Sequence, residues 1–135
     1  AADEVIRKAE DPFSINLEGA ADVLMLKVQP LGGIARSRAL AEHHKLPAVV
    51  SSALESAVGI HYGLELAASL ENLNFDCGLA TGSLLSHDVA HLPISDGFIE
   101  IGDLDINLDG LDVDADRYEW WKNRAMRCAE ILGIA

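Results

Sequence analysis

Short apolar stretches divide the first 80 residues of the chain at nearly regular intervals. These stretches cover residues 23–28, 48–51 and 75–78. Each ends abruptly in small or polar residues, so that Lys27, Ser51 and Gly78 fall at nearly the same phase, 24 and 27 residues apart. A further step of 24 residues back from Lys27 leads to Asp3. Buried strands that recur at this interval are typical of parallel βα units, and the pattern predicts four equivalent strand ends, the first of them truncated.

Helical stretches lie between the predicted strands. Residues 33–45 and 56–70 carry apolar residues at helical spacing, and Pro47 ends the first stretch because proline cannot continue a helix. Asp11-Pro12 predicts a shorter helix, since proline suits the first helical turn. The second stretch also contains two glycines that suit close packing, Gly59 and Gly63.

Parallel strands joined by helices form either an open sheet or a closed barrel. No Gly-x-Gly-x-x-Gly motif follows a strand, so a dinucleotide-binding sheet lacks support. A full barrel needs eight strands in roughly 250 residues, and this chain holds at most half of them. The chain opens without Met, in the middle of the pattern. We therefore expect either a half-barrel that must find a partner or a fragment of a longer protein.

The pattern changes after about residue 90, which predicts two parts. Residues 1–90 form the barrel part, and residues 91–135 form an acidic tail. Within the tail, residues 98–101 suggest a short strand and residues 116–132 an amphipathic helix. The stretch 103–116 between them is acidic, and residues 105–110 match the opening of a calcium-binding EF-hand loop, with Asp116 at its last ligand position. That last position is usually Glu, however, and a strand precedes the loop instead of a helix. A solvated acidic turn explains that stretch better.

Composition excludes several classes of function. The net charge is −12, and a chain this acidic repels phosphate backbones and anionic lipid surfaces, so nucleic acid and membranes are poor partners. Half of the residues are hydrophobic, which is enough to form a core. Two distant cysteines, Cys77 and Cys128, suit a reducing cytoplasm better than a disulfide framework. No secretory signal opens the chain, and we expect a cytoplasmic protein.

The predicted strand ends carry a chemically coherent set of residues: Asp3-Glu4, Lys27, Ser51-Ser52 and Gly78-Leu79. Catalytic groups of a barrel project from the carboxyl ends of its strands. A carboxylate can hold a hard divalent cation, and a lysine offers a positive charge or a proton. Serine hydroxyls and backbone N–H groups at glycine turns bind carboxylates.

These residues also have simpler explanations. Asp3 could cap a helix that begins at Glu4, and taken alone we favour that interpretation. Lys27 is harder to explain, because a lysine is almost never fully buried without a partner; it either extends to solvent or has a role. Ser51-Ser52 alone is more often a strand-to-helix turn. The five histidines show no ligand spacing, and we expect solvated or structural roles for them.

The chain resembles the actinobacterial-type o-succinylbenzoate synthases of the enolase superfamily. Residues 2–12, with Ala-Asp-Glu at the start and Asp-Pro at the end, resemble the end of their fifth barrel strand. Residues 23–33 (Val-Leu-Met-Leu-Lys-Val-Gln-Pro-Leu-Gly-Gly) are similar to the sixth strand and its turn. Residues 49–56 resemble the seventh strand, residues 77–81 the eighth, and residues 116–124 the C-terminal helix.

This resemblance implies an α/β fold in which the chain forms about strands 5–8 of a TIM-like (β/α)7β barrel, plus a C-terminal tail helix. It implies an Mg²⁺-assisted syn dehydration of a small-molecule carboxylate to o-succinylbenzoate in menaquinone biosynthesis. Asp3 corresponds to the third of three acidic Mg²⁺ ligands, with Glu4 behind it near the lysine. Lys27 matches the sixth-strand lysine that stabilises the anionic intermediate. The positions that line the substrate pocket correspond to Ser51, Ser52, Gly78 and Leu79.

The family's first two metal ligands, second-strand lysine pair and N-terminal capping domain have no counterpart in the chain. We therefore expect that the chain alone is inactive and requires the N-terminal capping domain and barrel half, covalently or as a partner. One alternative is an N-acylamino acid racemase or dipeptide epimerase of the same superfamily, in which Lys27 is an acid–base residue. The other alternative is a non-catalytic, truncated half-barrel.

Overall fold

Two short parallel strands form the centre of the protein. The structure, a computed structural model, describes residues 1–134, so the last residue of the predicted tail, Ala135, lies outside the described residues. Strand β1 (Leu24–Leu26) pairs in parallel with β2 (Ala48–Val50). The first and last residues of each strand are buried, which is expected for strands covered by helices. The parallel pairing of these two predicted strands is confirmed.

Single residues extend this sheet on both sides. Ala2 forms a parallel bridge with Leu24 beside β1, and Gly78 forms a parallel bridge with Ser51 beside β2. The four chain segments therefore lie side by side in sequence order and run in one direction. This arrangement is a mixed α/β unit, and the described residues do not close it into a barrel.

The helices follow the strands as the sequence pattern predicts. The two long ones in the barrel part are α3 (Ile34–His44) after β1 and α4 (Ala57–Ser69) after β2. Two single turns precede α3, namely α1 (Glu4–Arg7) and α2 (Val28–Leu31). The shorter helix predicted at Asp11-Pro12 is a 3₁₀ turn, Pro12–Ser14, and a second 3₁₀ turn covers Thr81–Leu84.

The core lies between the sheet and the two long helices. Helices α3 and α4 pack against each other, and α4 packs against β2. Ala57, Ile60 and Leu64 are buried at intervals of three and four residues, so that one face of α4 meets the sheet. The largest fully buried side chains are those of Ile6, Leu24, Leu26, Leu40, Val50, Ile60 and Leu66.

The strand predicted over residues 75–78 is wrong in its extent, because the structure forms only the single bridge at Gly78. Among the residues that the structure describes, this segment has a hydrogen-bonding neighbour on one side only, so its pairing is not reinforced from the other side. Phe75 is 51% exposed, which means that its apolar side chain does not hold the segment in the core.

A hairpin and a long helix form the tail. Strands β3 (Ile94–Ser95) and β4 (Phe98–Ile99) are antiparallel, and Asp96-Gly97 between them both have positive φ, as a type I′ turn requires. Helix α5 (Ala115–Leu132) is capped by Asp114, whose carboxylate accepts the Arg117 N–H at 2.8 Å. None of the residues of α5 is buried.

Within residues 1–134, no helix has the length and apolar character that a bilayer crossing requires.

Gly59→Ala should destabilise the protein. A Cβ at position 59 would overlap the Glu55 Cβ and lie 2.8 Å from its Cγ. Overpacking of this kind costs about 1–3 kcal/mol. We expect this cost to exceed the gain of up to about 1 kcal/mol that alanine brings inside a helix, because the Glu55 Cβ cannot move without its backbone. Urea unfolding measures the difference.

Gly102→Ala is the matched control, because nothing lies within 4 Å of a Cβ at that position. We expect its free energy of unfolding to stay close to that of the unchanged protein. A Gly59→Ala variant as stable as Gly102→Ala would contradict the packing described for α4.

Candidate active site

Backbone hydrogen bonds bring four polar or small positions to one edge of the sheet. The N–H of Met25 donates to the Ala2 carbonyl at 2.9 Å, and the N–H of Ser51 donates to the Leu26 carbonyl at 2.9 Å. The N–H of Gly78 donates to the Val50 carbonyl at 2.8 Å. The carboxyl ends of all four segments therefore lie at the same edge, which we call the strand-end edge. Its positions are Asp3, Lys27, Ser51 and Gly78.

Asp3 and Lys27 form an ion pair across this edge. The Lys27 Nζ donates to the Asp3 Oδ2 at 2.8 Å, and the Lys27 side chain is only 13% exposed. Its ammonium group therefore ends on a carboxylate and does not extend freely into solvent. Asp3 occupies the N-cap position of α1, but its side chain makes no capping hydrogen bond. The simpler explanation of Asp3 as a helix cap is therefore wrong.

Arg7 lies beside both acidic residues at the start of the chain. Its Nε is 3.4 Å from the Asp3 Oδ1, and its Nη2 is 3.0 Å from the Glu4 Oε1. The Arg7 guanidinium lowers the pKa of the exposed Glu4 carboxyl group by donating a hydrogen bond to it. The Glu4 carboxylate pairs with Arg7, whereas Lys27 donates to Asp3.

Hydroxyl groups lie at the other end of the strand-end edge. A Cβ at Gly78 would lie 3.2 Å from the Ser51 Oγ, so glycine permits the close approach of these two segments. The Ser52 hydroxyl forms a hydrogen bond with the Thr81 hydroxyl, and the Ser52 N–H donates to the Gly78 carbonyl at 3.0 Å. This end of the edge therefore offers hydroxyl groups on two neighbouring segments.

The position of Leu79 differs from the expectation. Its side chain is 4% exposed, belongs to the core, and packs against α4 near Gly63. The physical reason is that an apolar side chain after Gly78 gains more by burial against the helix than by facing a polar edge. The Leu79 side chain is therefore a core residue and does not line the strand-end edge.

A cavity of about 700 Å³ lies elsewhere, between the start of α4, residues 79–92 and the hairpin. Asp3 and Lys27 do not line it. The other positions of the strand-end edge, Ser51 and Gly78, do not line it either, and the described residues do not close the sheet into a barrel. The chemistry-bearing residues are therefore gathered at an open edge, apart from this cavity.

The residues fit one ligand position of a Mg²⁺ site. The Asp3 Oδ1 is buried and accepts no hydrogen bond from the described residues, which leaves a carboxylate oxygen suited to a hard cation. Within residues 1–134, however, no group of three or more His, Cys, Asp or Glu side chains is placed to hold a metal. One carboxylate does not make a tight Mg²⁺ site, because this ion demands ordered octahedral coordination.

Sequence reasoning missed two polar residues at this edge. Arg7 lies three and four residues after Glu4 and Asp3, and this helical spacing was the available signal. Thr81 forms a hydrogen bond with Ser52, which lies 29 residues earlier, and nothing in the sequence marks that contact.

Two of the histidines form hydrogen bonds within the fold. The His44 Nε2 is hydrogen-bonded to the Pro12 carbonyl at 3.1 Å, and the His61 Nε2 is hydrogen-bonded to the Gly102 carbonyl at 2.8 Å.

Curated relatives resemble the chain along nearly its whole length. It is 47% identical to the o-succinylbenzoate synthase of Mycobacterium leprae and 45% identical to that of Mycobacterium tuberculosis, in both cases over 98% of the chain. These findings confirm the resemblance predicted from the sequence. The matched region is 41% and 42% of those relatives, so the chain spans about two fifths of their length.

A solved structure shares part of the fold. The substrate-liganded complex of the L-Ala-D/L-Glu epimerase from Bacillus subtilis superimposes with a TM-score of 0.53 at 26% identity, over 63% of this chain and 25% of that one. The enolase C-terminal domain-like family matches residues 1–117, which include the entire strand-end edge. The chain therefore belongs to the enolase C-terminal domain-like family.

Proposed function

We propose that this chain supplies the C-terminal part of an o-succinylbenzoate synthase. The reaction is the Mg²⁺-assisted syn dehydration of 2-succinyl-6-hydroxy-2,4-cyclohexadiene-1-carboxylate to o-succinylbenzoate. The similarity to mycobacterial o-succinylbenzoate synthases over 98% of the chain supports this assignment. The observation that carries it is the 2.8 Å contact between Lys27 and Asp3 at the strand-end edge.

Lys27 stabilises negative charge in this proposal. The dehydration removes a proton from the carbon that bears the carboxylate, and hydroxide leaves from the adjacent carbon, so one water is formed. Negative charge develops on the substrate when the proton leaves. A positioned ammonium group in a partly buried site stabilises that charge, and the Asp3 contact fixes where the Lys27 ammonium lies. The base that removes the proton belongs to an earlier barrel strand.

Asp3 would hold Mg²⁺ together with two carboxylates from earlier strands. The bound cation would neutralise charge on the substrate carboxylate. At the other end of the edge, the hydroxyl groups of Ser51 and Ser52 and the backbone near Gly78 suit the second carboxylate of the substrate. Leu79 belongs to this set through its backbone, which follows Gly78, whereas its side chain lies in the core.

The active form in this proposal is an assembled enzyme. We use this term for the chain joined to, or complemented by, the N-terminal capping domain and barrel half. The relatives, which are more than twice as long as the matched region, support this requirement.

The two widely separated cysteines, Cys77 and Cys128, are both free, which agrees with a cytoplasmic location.

A dipeptide epimerase is the second candidate. The similarity to the Bacillus subtilis epimerase structure, with a TM-score of 0.53, favours it. In that case Lys27 would itself exchange a proton with the substrate. Exchange of the substrate α-proton with solvent deuterium, without dehydration, would identify an epimerase.

Lys27→Ala should reduce dehydration by the assembled enzyme at least about a hundredfold, the scale seen when one electrostatic contact to a developing charge is removed. The loss of substrate absorbance measures turnover, and circular dichroism checks the fold. Lys122→Ala is the control, because Lys122 is an exposed lysine of α5 that also pairs with an acid, Glu119, at 3.2 Å. Near-normal turnover of Lys27→Ala would refute the role of Lys27.

The isolated chain should show no dehydration at any Mg²⁺ concentration, and addition of the N-terminal piece should restore it. The reason is that one carboxylate cannot fix the cation and the base is missing. Size-exclusion chromatography and a thermal melt accompany the assay. A compact, Mg²⁺-independent monomer with a cooperative melt would favour an autonomous domain over the half-barrel. Failure of every complemented form would favour the non-catalytic alternative.

A further inference from the structure

Arg7 has an unusual position for a surface arginine, because it contacts two consecutive acidic residues at the strand-end edge. Its Nε is 3.4 Å from the Asp3 Oδ1, and its Nη2 is 3.0 Å from the Glu4 Oε1. The side chain is 28% exposed. A guanidinium group has a rigid fork of donors, so one arginine can fix the orientation of two carboxylates at once.

The backbone of α1 sets this geometry. The Asp3 carbonyl accepts hydrogen bonds from the N–H groups of Ile6 and Arg7, at 3.0 and 3.1 Å. Ile6 is fully buried and anchors the turn in the core. Arg7 therefore starts one helical turn after Asp3, and its guanidinium extends back over the carboxylates that begin the turn.

The two oxygens of Asp3 are held differently. The Oδ2 accepts a hydrogen bond from Lys27, whereas the Oδ1 has only the longer ionic contact with Arg7. The Asp3 Oδ1 and the Arg7 Nε are both buried, and neither makes a hydrogen bond with the described residues. Arg7 thus restrains the Asp3 carboxylate by charge, without a hydrogen bond to its Oδ1.

We infer that Arg7 is a positioning residue for the metal ligand Asp3. It holds the Asp3 carboxylate between Lys27 and itself, and it pairs with the Glu4 carboxylate at 3.0 Å. This inference rests on the proposed function, in which Asp3 binds Mg²⁺. It adds a residue to that site which touches neither the substrate nor the metal.

Two effects of Arg7 on Mg²⁺ affinity oppose each other. A positive charge near the cation weakens binding, whereas a restrained ligand strengthens it. The charge of Arg7 is offset by Glu4 at 3.0 Å, so the restraint should dominate. The sign of the change in affinity therefore separates positioning from simple charge repulsion.

The test measures binding of Mg²⁺ alone to the assembled enzyme by isothermal titration calorimetry. Arg7→Gln should raise the Kd for Mg²⁺ roughly tenfold or more, the effect typical of residues that orient metal ligands. At saturating Mg²⁺, the kcat of Arg7→Gln should return close to that of the unchanged enzyme. The Kd of Arg7→Lys should lie between that of the unchanged enzyme and that of Arg7→Gln, because lysine keeps the charge but lacks the rigid fork of donors. If Arg7→Gln does not fold, the Kd of Arg7→Lys decides, and a Kd equal to that of the unchanged enzyme overturns the inference.

Arg38→Gln is the matched control, because Arg38 also faces an acidic residue four positions away, Glu42 at 3.9 Å, but lies on the exposed side of α3. Its Kd for Mg²⁺ should not change. An unchanged or tighter Kd in folded Arg7→Gln overturns the inference.

Asp3→Asn separates the proposed ligand role of Asp3 from the positioning role of Arg7. If it weakens Mg²⁺ binding and Arg7→Gln does not, only the role of Arg7 fails; if Asp3→Asn has no effect, the ligand assignment fails as well.

Discussion

Parallel hydrogen bonding between four neighbouring segments is the constraint on which the rest of the structure depends. Residues 24, 25 and 26 pair with residues 48, 49 and 50, and Ala2 and Gly78 continue the same order on either side. In this register every segment ends at the same edge, so that residues distant in the chain become neighbours. A shift of one residue would turn Lys27 towards the opposite face of the sheet. The buried residues of β1 and β2 oppose such a shift, because it would expose them.

The sequence was sufficient to predict helices that neighbouring residues in the chain determine. Pro47 and the helical spacing of apolar residues placed α3 and α4 within one residue of their observed ends. The strand at residues 75–78 was overestimated, because its stability depends on a second neighbour that no local signal reports. At the site, the phase of the strand ends predicted which positions share an edge. It did not predict the partner of each side chain: Glu4 pairs with Arg7, and Ser52 pairs with Thr81. Such pairs depend on side-chain reach across segments.

Charge at the strand-end edge is balanced locally, although the chain as a whole is strongly acidic. Two cationic side chains, Lys27 and Arg7, face two carboxylates, Asp3 and Glu4. A partly buried lysine side chain needs a nearby anion, and the Asp3 carboxylate supplies it at 2.8 Å. The contact explains how a lysine with little exposure is accommodated at the end of an apolar strand. It also means that removal of either cation would change the position of Asp3, and not only the net charge.

The open sheet and the exposed tail both carry groups that further protein contacts would stabilise. Among residues 1–134, Ala2 and Gly78 each have a parallel neighbour on one side only, and backbone groups at such edges invite further pairing. Most of the exposed large apolar side chains lie after residue 90, including Phe98, Trp121 and Ile131. A partner that extended the sheet past Ala2 and Gly78 would surround the strand-end edge with further strand ends. If the Mg²⁺ site proposed above is correct, its two further carboxylates would come from strands added at these edges, and completion of the sheet would also complete the site.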